Sequence, residues 1–323
     1  MIVRWGIDAL PDVLRELAIE RPLLVTSRRW AELELPISHR YTGVRSHAPV
    51  DTVEAALEQA AGADAVVGLG GGSAIDTAKA VSSLASIPVV SVPTTYAGAE
   101  WTPYFGMRDE ARRLKTGGTG AELAAAVYEP RLTLGLPREE TAGTAMNALA
   151  HCAEALYVDG HNEEADTHAL TGARLIREWL PRVLERTDDL EARTHLLEGA
   201  MHAGAALGKS GLALGHAMAQ ALGGRYGLPH GALNAIVLPA ALRFNAPAAA
   251  DALRRLGAAL DGDPVERAEE LARLGGFTRL RDLGVPDDEL AAVAEATAAR
   301  AGAKANPRPA SPADIDELLR SVW

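Results

Sequence analysis

Three of the nine histidines in this sequence stand where they can act together. Asn147 and His151 are four apart in a stretch of helical periodicity, so their side chains share one face. His216 and Gln220 repeat that spacing in a later stretch, and His230 sits in a Leu-Pro-His-Gly turn fourteen residues after His216. Imidazole donates or accepts a proton near neutral pH and is a common metal ligand. Set among Ala, Gly and Leu, Asn147, His151, His216 and His230 read either as one reaction site or as separate packing groups. Spacing alone leaves both readings open.

A second element of chemistry is the glycine loop. The segment Gly68-Leu-Gly-Gly-Gly-Ser73-Ala-Ile-Asp76-Thr-Ala-Lys79 follows an apolar run and opens a helical one. Glycines let the backbone turn sharply and approach a ligand, and a helix N-terminus offers N–H groups and partial positive charge to a pyrophosphate. Gly70, Gly71, Gly72 and Ser73 are therefore expected to cradle a nucleotide. The next loop, Pro93-Thr-Thr-Tyr-Ala-Gly-Ala-Glu100, offers Thr94 and Thr95 at the end of the following strand, where open α/β sheets bind ligands. The loop Thr26-Ser-Arg-Arg29 has no acidic residue of the kind that holds the ribose hydroxyls of NAD. Ser27 with Arg28 and Arg29 there reads as room for a 2′-phosphate or as an ordinary solvated basic loop.

Elements of two kinds must position these groups. Before residue 136, short apolar runs at Pro22–Thr26, Ala65–Leu69 and Pro88–Val92 alternate with helical stretches at Val53–Ala61 and Ala74–Leu84. That alternation predicts a parallel sheet covered on both faces, a Rossmann-like α/β dinucleotide-binding domain over residues 1–136. From Arg138 onward the periodicity is helical, predicting an all-α domain over 137–323 with helices that include Glu139–Tyr157, Leu212–Leu222, Ala232–Arg243 and Pro286–Arg300. Packing of the two domains against a cleft is expected.

Composition narrows the function classes. A net charge of −11 disfavours nucleic acid and anionic lipid as partners. The single cysteine, Cys152, excludes an internal disulfide and suits a reducing compartment. The charged N-terminus lacks the apolar core of a signal peptide, and no run is long enough to span a membrane. A cytoplasmic protein acting on a small molecule is expected.

The segments GGGSAIDTAKA, VPTTYAGAE, MNALAHCAEALY and GHAMAQALGGRYGLPHGALNAIVLP resemble the iron-containing (group III) alcohol dehydrogenase superfamily. The resemblance runs from about Gly6 to Asn245 with the motifs in order. It implies an NADH- or NADPH-dependent oxidoreductase, with a homodimer as the expected assembly and catalysis in the interdomain cleft. In metal-dependent members an Asp and three His hold Fe²⁺ or Zn²⁺, and those positions correspond to Asn147, His151, His216 and His230. An amide in the carboxylate's place, with PTTYAGAE and RRLKTGG, is closer to the maleylacetate reductase branch, whose enzymes reduce a conjugated carbon–carbon double bond and are thought to need no metal. A divalent metal is thus open but not favoured. Gln220 stands where both branches commonly have a histidine, and Lys115 and Arg225 are candidates for additional fixed charge at the site.

Overall fold

Runs of Val, Leu and Ala without polar alternation make strands buried on both faces, and here they form the inner strands of a six-stranded, all-parallel sheet. The computed structural model describes residues 1–323. Its sheet contains β1 (Ile2–Trp5), β2 (Pro22–Thr26), β3 (Arg40–Tyr41), β4 (Ala65–Gly70), β5 (Pro88–Pro93) and β8 (Glu122–Tyr128), in the order β1-β8-β5-β4-β2-β3. A separate antiparallel hairpin pairs β6 (Phe105–Asp109) with β7 (Leu114–Gly118). The helices of this unit are α1 (Leu10–Glu16), α2 (Val50–Gln59) and α3 (Gly72–Ala85).

Side chains alternate across the sheet. Leu24, Val67, Leu69, Val90 and Val92 face one layer with Leu10 and Val13 of α1. Leu23, Val25, Val66 and Val89 face the other, against Ala56 of α2 and Ala78 and Val81 of α3. Gly68 permits this second contact, since a Cβ there would come within 2.7 Å of the Ala78 methyl. From β2 the chain moves to β3 on one side, then returns to build β4, β5 and β8 on the other. The order reverses between β2 and β4, and ligands in such sheets bind outside the strand ends at that point.

β1, β3, the β6–β7 hairpin and β8 were not legible as strands. In β8 the sequence ELAAAVY is alanine-rich and carries little β propensity, yet it lies between β1 and β5 with Ala125, Ala126 and Val127 buried. Its tertiary position overrides the local preference.

Residues from Leu136 form a second unit, the first being Met1–Gly135. Its helices are α4 (Arg138–Ala155), α5 (Glu163–Glu185), α6 (Leu190–Ser210), α7 (Leu214–Tyr226), α8 (His230–Asn245), α9 (Ala250–Leu260), α10 (Pro264–Leu274), α11 (Leu290–Ala298), α12 (Ala301–Lys304) and α13 (Pro312–Ser321). The single helix expected over Pro286–Arg300 is instead a 3-10 turn at Asp287–Glu289 followed by α11, and Arg300 is the extended N-cap of α12. No helix is long and apolar enough to cross a membrane.

Small residues set how closely these helices approach. At Gly231, on α8, a Cβ would run into the backbone of Gly143 on α4. One turn further along each helix lie Asn147 and Asn234, whose contact depends on that approach. Gly231→Ala should therefore overpack the crossing and cost about 1–3 kcal/mol. Calorimetry should show the melting temperature lowered by about 2–4 °C for each kcal/mol. An unchanged melting temperature would contradict so close a crossing.

Candidate active site

In the N-terminal unit the glycine loop connects β4 to α3 beside the reversal point of the sheet. Gly70 adopts φ +147, a conformation side chains rarely take. Helix α3 starts at Gly72 with no side-chain cap, leaving its first N–H groups for a ligand. Thr95 closes over Gly71 so tightly that a Cβ there would lie 2.9 Å from its Cγ2, and the Thr94 N–H donates to Gly70 O at 2.9 Å. The Ser73 hydroxyl accepts from the His47 N–H at 2.9 Å. Gly70, Gly71, Gly72, Ser73, Thr94 and Thr95 thus form one surface, and it fits a pyrophosphate through backbone donors and absent side chains.

Two buried networks hold the loop after β5. The Lys79 ammonium, on α3, donates to Ala99 O at 2.7 Å and Tyr104 O at 2.6 Å and pairs with Asp76 at 3.0 Å. Glu100 accepts from the Tyr128 hydroxyl at 2.7 Å, and that hydroxyl accepts from Trp101 Nε1. Burial raises the Glu100 carboxyl above its usual range. Ser27 follows β2, across the reversal point; Arg28 beyond it is exposed, and Arg29 lies over the Trp30 ring.

In the helical unit the three histidines come together. His151 and His216 stack with ring centroids 4.7 Å apart, and His230 lies 5.7 Å from His216. His216 is oriented from behind by Glu154, which is fully buried. Its Oε2 accepts from His216 Nδ1 at 2.8 Å and from the Ala213 N–H at 2.7 Å, while Oε1 accepts from the His216 N–H at 3.0 Å. One carboxylate therefore caps the N-terminus of α7, where negative charge is favoured, and fixes the Nδ1–H tautomer of His216. Nε2 of His216, on the opposite edge of the ring, is buried without a partner.

Asn147 is oriented in the same manner. Its Oδ1 accepts from Asn234 Nδ2 at 2.6 Å, which turns its own Nδ2 toward His151 Nε2, 3.5 Å away. Asn234 Nδ2 also stands 3.2 Å from His230 Nε2. Burial, with His216 alongside, holds His151 well below the usual imidazole range, so it is neutral at physiological pH. Burial likewise pushes the Cys152 thiol up, leaving it an inert packing group.

A divalent cation would need different donors. The Asn147 oxygen accepts from Asn234, and the Glu154 carboxylate lies behind His216 with both oxygens accepting hydrogen bonds. As arranged, the donor set is three imidazoles and a neutral amide, without the carboxylate charge that favours Fe²⁺ or Zn²⁺.

Comparison with known proteins places this architecture. The iron-containing alcohol dehydrogenase model matches residues 3–128, and the C-terminal model of the Fe-containing alcohol dehydrogenase family matches 141–323. The chain belongs to the iron-containing alcohol dehydrogenase family. It is 38% identical to a maleylacetate reductase of Sphingobium indicum over 98% of this chain and 92% of that protein. A Pseudomonas knackmussii maleylacetate reductase is also 38% identical, over 89% of this chain and 86% of that protein. Among solved structures, maleylacetate reductase from Rhizobium sp. strain MTP-10005 superposes with a TM-score of 0.90 at 32% identity, covering 100% of this chain and 95% of that one. Within the family, the chain is an oxidoreductase of the maleylacetate reductase branch.

Three residues of this family member escaped the sequence reading. Glu154 follows His151 by three positions and Asn234 follows His230 by four, both helical spacings that the search for histidine pairs passed over. Arg300 carries no local signal. Of the two cations proposed as extra charge, Arg225 is neutralised by Glu289 at 2.6 Å, and Lys115 lies on β7 of the N-terminal unit.

Glu154→Gln tests the support of His216. An amide offers one acceptor oxygen to three donors and must turn its N–H₂ toward at least one of them. The variant should fold but lose about 10- to 100-fold in kcat, the scale of losing the partner that orients a functional histidine. KM should change far less. A parallel loss in folded fraction that accounts for the whole drop would instead make Glu154 a helix cap alone.

Proposed function

We propose that this chain reduces small anionic unsaturated keto acids of the maleylacetate type, using NADH or NADPH and no metal. The observation that carries the reading is the orientation of His216. Its Nε2, unpaired and buried, lies beside neutral His151 and the Asn147 amide N–H₂, so one small region collects polar groups able to meet an oxyanion without a metal. The names of the relatives, at up to 38% identity, supply the substrate class.

Bound at the glycine loop, the reduced nicotinamide supplies a hydride. When hydride reaches the carbon β to the ketone, the double-bond electrons move onto the ketone oxygen as an enolate, and a proton then returns to the α carbon. His216 in its imidazolium form donates from Nε2 to that oxygen, with Glu154 holding the opposite nitrogen. Asn147 and His230 complete the lining, and His151 serves as a neutral neighbour rather than as the acid. A site preorganised in this manner stabilises charge where it develops. Exposed Arg28 and the uncharged Ser27 leave room for a 2′-phosphate, so NADPH is accepted alongside NADH.

Two measurements test this. Oxidation of NADH and NADPH should be followed with a panel of unsaturated keto acids, saturated keto acids and aldehydes. His216→Ala and His230→Ala should each lower kcat on the preferred acceptor by about 10² or more, with cofactor Kd nearly unchanged. Cofactor binding without reduction of any acceptor would sink the reading. Ser27→Asp should raise the NADPH/NADH ratio of KM by about tenfold, the scale of one charge-assisted contact. A wild type that already rejects NADPH would contradict the role of the Ser27 loop.

A further inference from the structure

A substrate with two carboxylates needs a cation as well as an oxyanion site, and the histidine cluster contains no permanent one. Arg300 supplies a candidate. It is the N-cap of α12, and its guanidinium reaches across to α7, where Nη1 donates to Gln220 Oε1 at 3.2 Å and Nη2 to Gln220 O at 3.4 Å. Gln220 is one helical turn from His216 on the same face of α7, so Arg300 is tied to the helix that carries the oxyanion donor.

The guanidinium has an incomplete set of partners. Its Nε is buried with none. Burial is the sole cause lowering its pKa, and no acidic neighbour contributes. Two other half-buried arginines of the helical unit are ion-paired, Arg255 with Asp166 and Arg225 with Glu289. Keeping a cation partly desolvated with only an amide and a carbonyl for company is costly unless an anion completes it. A guanidinium suits a carboxylate in particular, because its planar fork matches the two oxygens. Gln220, in place of the family's histidine, is compatible with this, since an amide can accept from Arg300 without adding a competing positive charge.

We propose that Arg300 anchors the carboxylate of the substrate remote from the reacting carbonyl, and that Gln220 positions it. The inference rests on the keto-acid reading above and adds a specificity determinant to it. Selectivity for a diacid over its monoester then comes from Arg300, while hydride acceptance comes from the histidine cluster.

The test is a two-by-two comparison of wild type and Arg300→Gln, each assayed with maleylacetate and with its monoester blocked at the remote carboxylate. Wild type should prefer the diacid. Arg300→Gln should raise KM for the diacid by roughly 10- to 100-fold, with a smaller change in kcat, and should leave diacid and monoester nearly equivalent. Arg300→Lys should recover part of the loss. Equal losses on both substrates, or no loss on the diacid, would overturn the proposal and make Arg300 a structural clamp on α7. A second readout needs no turnover: maleate should raise the melting temperature of wild type and fail to do so for Arg300→Gln. An equal shift in both proteins would likewise count against Arg300. If wild type reduces no keto acid, the parent reading falls, and the maleate shift still decides whether Arg300 holds a carboxylate.

Discussion

The hydrogen bond from Asn234 to Asn147, between α8 and α4, decides what this site can do. It orients the Asn147 amide, with Oδ1 toward Asn234 and the N–H₂ toward His151. A carboxylate at the same position would accept from Asn234 and still present a second, charged oxygen. The amide presents a donor. The bond exists because Gly143 and Gly231 let the two helices cross with backbone nearly against backbone. Both amides are buried, so breaking the bond would leave unmet polar groups at a cost of about 1–3 kcal/mol each. Glu154 has the matching role for His216, caps α7 at the same time, and is itself satisfied by three donors. The cluster is therefore rigid and neutral around His151.

The N-terminal unit meets a different physical demand. The surface proposed to hold the cofactor is made almost entirely of backbone and absent side chains, and backbone is precise only when the strands and helix beneath it are fixed. Predominantly apolar strands, buried on both faces, do this for β2, β4 and β5. Lys79 and Glu100 do it for the loop beyond β5, where no regular structure could. The buried Lys79 ammonium is met by two carbonyls and Asp76, and the buried Glu100 carboxyl by the Tyr128 hydroxyl, which is the condition under which burying such groups is tolerable.

What was legible in the sequence follows from the range of the interactions involved. The glycine loop is encoded locally, by a strand, a turn and a helix start within a dozen residues, and it reads directly. The histidine pairs are encoded by helical spacing, so Asn147 with His151 was visible, although nothing in the spacing showed that His216 and His230 would join them. Glu154 and Asn234 obey the same spacing rule and were within reach. Arg300 was not: its contact with Gln220 spans eighty positions and depends on a break between α11 and α12 that interrupts a continuous helical pattern. β8 failed for the opposite reason, because its alanines speak for helix and only the neighbouring strands make it a strand.

The central claim is that hydrogen-bond and proton donors of the protein, and no metal cation, carry the developing negative charge. Its most direct test is to strip the purified enzyme with EDTA, measure its metal content, and assay the reduction beside an Asn147→Asp variant treated identically. The account predicts full activity in metal-free wild type, no gain on adding Fe²⁺ or Zn²⁺, and tighter metal binding by Asn147→Asp, where a charged oxygen replaces the amide donor. Wild-type activity that disappears with the metal and returns with Fe²⁺ or Zn²⁺ would contradict it.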